Sequence, residues 1–148
     1  MKQVRRILYA SDFSRASGRA FTTALALAKT AQARLTILNV IVPLTPLVPE
    51  QYVDSATLER LDAQTRHWSQ RRLNKLAEKA KRADTRATML LREGAAAEQI
   101  VRAARSLRAD LIVVGTHGRR GFSKFFLGSV AERVVSTAPC PVVTVKSS

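Results

Sequence analysis

The chain reads as a single α/β domain, residues 1–148, built on one doubly wound, five-stranded parallel sheet with helices on both faces. Three observations predict this class. Short apolar runs alternate with helix-period segments from end to end. The clearest run, Leu35 to Val42, is apolar on both of its faces, as a strand covered on both sides must be. A helical segment also separates each strand from the next, which is what parallel pairing through right-handed crossovers needs. At 148 residues, 46% of them hydrophobic, the chain is long enough to bury about two-thirds of its unfolded surface.

Each element has its own local warrant. Val4 to Ala10 is a buried-strand pattern stopped by Ser11 and Asp12, and Ser14 suits the N-cap of a following helix. That helix sets Phe21, Ala24, Leu25 and Ala28 on one stripe, and its alanines let it sit close to a sheet. After the strand ending at Val42, Pro43, Pro46 and Pro49 impose an extended loop. A long helix is then expected from about residue 54 to residue 83. Leu58, Leu61, Trp68, Leu76 and Ala80 form its inner side, with Trp68 packing into the core, and Glu59, Arg66, Arg71, Lys75 and Lys79 lie opposite. Thr85 to Arg92 is a weaker strand ended by Gly94, and Ala97, Ile100, Val101, Ala104 and Leu107 fall at helical spacing. Leu111 to Val114 is a fourth strand running into Gly115, Ser129 to Thr137 a last helix, and Pro141 to Val145 a fifth strand. No linker, repeat or low-complexity tract divides the chain.

Bulk properties narrow the partners. No apolar run approaches the roughly 20 residues needed to span a bilayer. The apolar stretch after Lys2, Arg5 and Arg6 stops at Asp12, too short for a signal peptide. One cysteine, Cys140, permits no internal disulfide; it is expected to pack between its two prolines. A cytoplasmic protein with no membrane partner is therefore expected. The charge is unusual: 25 Lys and Arg against 11 Asp and Glu give a formal +14. Such a balance favours polyanions. The cations, however, are scattered from Arg60 to Arg108, many on polar helix faces, and the aromatics that stack bases make up only 5% of the chain. Nucleic acid thus ranks below free nucleotide as the expected partner.

In doubly wound sheets, ligands sit beyond the carboxyl ends of strands where the winding reverses. The first and fourth strands are the natural flanks, so Ser11, Asp12 and the residues from Gly115 to Ser129 become candidates. Gly115 and Gly118 allow a sharp turn and close approach to a ligand, while Gly128 and Ser129 open a helix whose first N–H groups attract anions. Arg119, Arg120 and Lys124 add positive charge. Together these features make an anion site. Other motifs fail. The loop lacks the Gly-Lys-Ser/Thr ending of a Walker A motif and the G-x-G-x-x-G fingerprint, and no Gly-x-Ser-x-Gly elbow exists. His67, His117 and Cys140 have no metal-ligand spacing. Asp12 has a second reading, since an Asp two residues before Ser14 also suits an Asx turn.

At these residues the chain resembles the universal stress protein family over essentially its full length. Gly115, Gly118, Gly128 and Ser129 fit the family's Gly-x2-Gly-x9-Gly-Ser/Thr signature, and the segments Ile7 to Ser14 and Ala138 to Val142 are similar to family segments. The resemblance implies a Rossmann-like sheet of order 3-2-1-4-5 and the ATP-binding branch of the family. Gly118, Gly128, Ser129 and Val130 would hold phosphates, and Gly115 would lie beside the ribose. Ala10, Asp12 and Val40 would contact the adenosine portion, and His117 would border the phosphates. Ser11, Val114 and Arg119 complete the implied site around ATP, ADP or AMP, with Mg2+ or Mn2+ carried on the phosphates. Ala10 stands where family members often have proline. The implied strand order leaves Val142 to Val145 at a sheet edge, where a homodimer would form. Turnover is expected to be slow or absent, because no water-activating base is evident. A nucleotide hydrolase or adenylyl-transfer enzyme on the same scaffold and a basic polyanion-binding module are the alternatives.

Overall fold

The computed structural model describes residues 2–44, 48–49, 51–116 and 128–146. Among these, nine elements alternate: β1 (Arg6–Ser11), α1 (Arg15–Ala31), β2 (Arg34–Ile41), α2 (Ser55–Arg82), β3 (Ala87–Glu93), α3 (Ala96–Ser106), β4 (Leu111–Gly115), α4 (Ser129–Thr137) and β5 (Val142–Val145). The strands form one sheet of order β3-β2-β1-β4-β5, with every pairing parallel. The fold class and strand order are those expected.

Strand alternation sorts the core into two layers. Ile7, Tyr9, Leu35, Ile37 and Val113 pack with α1 and α2 on one face. Leu8, Leu38, Ile112 and Val114 pack with α3 and α4 on the other. The chain winds outward from β1 to β3, then crosses β1 to reach β4 and β5. The winding therefore reverses between β1 and β4. Ser14 caps α1, its hydroxyl accepting the Ser17 N–H at 3.2 Å, and Ala16, Ala20, Ala24 and Ala28 line the buried side of that helix. Its close seating on the sheet follows from those small side chains.

Boundaries shift by a residue or two where hydrogen bonds decide them. β3 begins at Ala87 rather than Thr85, because Asp84 (φ 52°) and Thr85 close the end of α2 and the Thr85 N–H bonds to Ala80 O. β5 begins after Pro141, whose carbonyl still accepts from the Ile112 N–H.

The inner side of α2 differs from expectation. Leu61 is 40% exposed and Trp68 38%, while Leu58, Asp62, Ser69, Leu73 and Ala80 are buried. Those buried positions recur with an 11-residue period, 3.67 residues per turn, so the inward stripe of this 28-residue helix follows a line that a simple count of apolar residues misses. Polar residues occupy it because they have partners: Asp62 accepts the Leu44 N–H at 3.2 Å. Trp68 instead lies over the rim, edge-on to Phe13 with ring centroids 5.4 Å apart.

At the other end of the sheet, Asp110 ties β1 to β4. Its Oδ2 accepts the Arg5 and Arg6 N–H groups at 2.8 and 3.0 Å, and Lys2 stands 3.6 Å from Oδ1. These contacts, the Arg5 amide foremost, hold the carboxyl below its ordinary value of 3.8. A lowered folded-state value means the contribution is complete above the ordinary value and is lost as pH falls through the folded one. Replacing Asp110 by Ala is expected to cost about 1.5–3 kcal/mol at neutral pH, the range for hydrogen bonds to a charged group. In urea melts across pH, the gap from wild type should close as pH drops below 3.8.

Candidate functional site

The carboxyl end of β1 is tied by several side-chain hydrogen bonds. Asn39, a buried polar residue in β2, donates from Nδ2 to the Ser11 carbonyl at 2.8 Å. The Ser11 hydroxyl accepts from the Phe13 N–H at 3.0 Å and from the Ser17 hydroxyl at 2.8 Å. The Tyr9 hydroxyl donates to the Ser17 carbonyl and lies 2.8 Å from the Ser17 hydroxyl. Burial is the chief reason the Tyr9 phenol titrates above its usual value. Phe13 occupies the left-handed region (φ 62°), uncommon for a bulky residue and a conformation that needs this surrounding bonding to persist. Asp12 does form the Asx turn, Oδ1 accepting the Ser14 N–H at 2.9 Å.

Register brings the expected residues to one edge. Tyr9 pairs with Val113, and Ala10 and Ser11 follow it on β1 as Val114 and Gly115 follow Val113 on β4. On the other side Ser11, the last residue of β1, pairs with Asn39, and Val40 follows Asn39 on β2. Ala10, Val40 and Val114 project onto the α3–α4 face, where they pack against its core. Across β4, Gly128 leads into α4: its N–H bonds to the Thr116 carbonyl, and its own carbonyl accepts from Glu132. Ser129 and Val130 are exposed in the first turn. His117, Gly118 and Arg119, with Arg120 and Lys124, lie outside the described residues.

Two of the glycines have different reasons to be glycine. A Cβ on Gly115 would come within 3.2 Å of the Ala16 carbonyl carbon and oxygen, so this residue is small because α1 crosses it. That side of Gly115 faces a helix, not open space. Gly128 has φ −60° and ψ 153°, angles any residue adopts, so the backbone there does not demand glycine. Among the described residues no side chain caps the start of α4, and its first amides with the dipole behind them favour an anion, with Glu132 of the same turn opposing it. Among the described residues no group of three or more His, Cys, Asp or Glu could hold a metal ion. Cys140 is half-buried beside the α3–α4 core, and burial above all raises its thiol away from the reactive thiolate.

Sequence reading missed the Tyr9–Ser17–Ser11–Asn39 network and the strained Phe13. One signal for the network was present: a lone Asn in the apolar run from Leu35 to Val42 has to hold something.

The fold defines a doubly wound α/β domain whose topological switch point lies between β1 and β4. The chain belongs to the universal stress protein family, whose model matches residues 3–146. A Thermus aquaticus universal stress protein, encoded 3′ of a QAH/OAS sulfhydrylase, is 35% identical over 144 residues, covering 96% of this chain and 98% of the relative. Among solved structures, a universal stress protein in complex with cAMP superposes with a TM-score of 0.70 at 23% identity, covering 99% of this chain and 100% of that one. The universal stress protein from Archaeoglobus fulgidus in complex with dAMP gives 0.65 at 19% identity, with the same coverage. At those identities the likeness is one of fold. Among the described residues, no helix is long and apolar enough to cross a membrane.

Replacing Gly115 by Ala is expected to destabilise the fold by about 1–3 kcal/mol, the cost of overpacking. Gly18, whose added Cβ meets nothing within 4 Å, is the control: as a helix-interior glycine, its change to Ala should stabilise by about 0.5–1 kcal/mol. Urea melts of the two variants measure both.

Proposed function

We propose that this protein binds an adenine nucleotide, with ATP as the full-length ligand, beyond the carboxyl ends of β1 and β4, and serves as a stress-response or regulatory module. The observation that carries the reading is Gly128, a glycine kept at relaxed backbone angles where α4 opens toward the switch point. Gly128 suits the N-cap of α4, and the lack of a Cβ there also leaves a ligand room to approach the first amides of the helix. The Ser129 and Val130 amides and the Ser129 hydroxyl would meet the phosphates, together with Gly118, His117 and Arg119 from the preceding loop. Ala10, Asp12, Val40, Val114 and Gly115 would border the adenosine. Relatives of the same fold bound to cAMP and dAMP support the choice of adenine. A divalent cation, Mg2+ or Mn2+, would travel with the phosphates, since the described residues offer it no cluster of their own. The outer side of β5 (Val142–Val145), which pairs with no further strand among the described residues, is where a second copy would pair to make a homodimer, and the cytoplasm is the compartment this reading assigns.

Calorimetric titration with ATP and Mg2+ tests the site. Wild type should bind, and Gly118→Val with Gly128→Val should weaken binding by about 100-fold or more, about 2.7 kcal/mol. Unchanged affinity in that double variant would place the nucleotide elsewhere. Phosphate release well above background, abolished by His117→Ala or Asp12→Ala, would make the protein a hydrolase instead.

A further inference from the structure

The sheet's other end gathers charge that the nucleotide reading does not use. Arg6 and Arg34 are register partners on β1 and β2. Arg86, one residue ahead of β3, offers its carbonyl to the Leu35 N–H and so continues the row beside Arg34. Three arginines therefore stand side by side on three adjacent strands. All three are exposed, and among the described residues none forms an ion pair. Strand alternation places them on the α3–α4 side, the side of Leu8, Leu38 and Leu90. α3 runs down this face and ends at the same edge, where Arg105 and Arg108 are also exposed. Asp110, the acid next in the row and one residue ahead of β4, is already held by two backbone amides and Lys2.

Like charges directly opposite on neighbouring strands destabilise a sheet, so fold stability does not account for the row. A ligand of opposite charge does. Strands about 4.8 Å apart make the row about 10 Å long, against about 7 Å of helix axis for three successive phosphates of one strand, a difference that long guanidinium side chains can absorb. Guanidinium forks suit phosphate oxygens. The described aromatic residues, Tyr9, Phe13, Phe21, Tyr52 and Trp68, lie in mid-sheet, on the opposite face or at the carboxyl end. This edge therefore offers no platform on which unpaired bases could stack.

We propose that Arg6, Arg34 and Arg86, flanked by Arg105 and Arg108, form a docking surface for the phosphodiester backbone of a duplex nucleic acid. The contact is independent of sequence and independent of the nucleotide crevice at the far end of the strands. It also gathers into one place part of a net charge that is scattered along the chain.

Fluorescence anisotropy with a 20-base-pair duplex, across a salt series, tests the surface on the intact chain. Wild type should bind with a steep salt dependence. The triple change Arg6→Gln, Arg34→Gln and Arg86→Gln should weaken binding about tenfold or more at low salt and flatten the log–log salt slope by about 0.9 for each phosphate no longer neutralised. Its thermal unfolding midpoint should stay level or rise, because like-charge repulsion is relieved. The control removes the same charge from α2 through Arg71→Gln, Lys75→Gln and Lys79→Gln and should retain most of the binding. Equal weakening in the two triples would mean that only net charge matters and would overturn the proposal. So would absence of duplex binding by wild type, tighter binding of a single strand of equal length, or row-dependent binding to phosphatidylserine vesicles in place of DNA.

Discussion

The seating of α1 across β1 and β4 is the constraint on which the rest depends. At Gly115 the helix backbone lies so near that a single added carbon would meet Ala16 at 3.2 Å. The alanines at 16, 20, 24 and 28 allow that approach. Once α1 lies there, its first turn is fixed over the end of β1, and Tyr9, Ser11 and Ser17 close into one hydrogen-bonded unit. The turn that carries Asp12 has little freedom left. The bonding at the carboxyl end of β1 thus follows from small residues in the helix that comes next in the chain.

Fully parallel sheets impose a polarity. All strands point the same way, and the helices return the other way, so helix N-termini collect at one edge and helix C-termini at the other. The first edge favours anions through the dipoles of helices such as α4. The opposite edge has no such help, and positive charge there comes from side chains, as at Arg6, Arg34 and Arg86. Two chemically different anion environments thus arise from one topology.

Most of the architecture was legible because the periods were clean. The strand pattern around Leu35 to Val42, the short helix with Ile100 and Val101, and the helix opening at Ser129 agree with β2, α3 and α4 to within a residue or so. The long helix was harder, since its stripe admits Asp62 and Ser69 where hydrophobicity alone selects Leu61 and Trp68. A polar residue becomes an inward one only when a distant backbone group needs it, and Leu44 is distant in sequence. The Arg6–Arg34–Arg86 row was illegible for the same reason: its members are 28 and 52 positions apart, and only strand register brings them together. Of the site, the β1 end and the α4 start could be read as segments, whereas the bonding that stiffens Ser11 depended on Asn39 from another strand.

Trp68 is the chain's only tryptophan. It leans edge-on against Phe13, and the Arg72 guanidinium sits 5.4 Å from the indole and 5.5 Å from the phenyl ring. Phe13 follows Asp12 directly, so this indole stands next to the turn at the carboxyl end of β1. Its emission is therefore an intrinsic optical gauge of that corner, sensitive to small rearrangements there and free of background from any other indole.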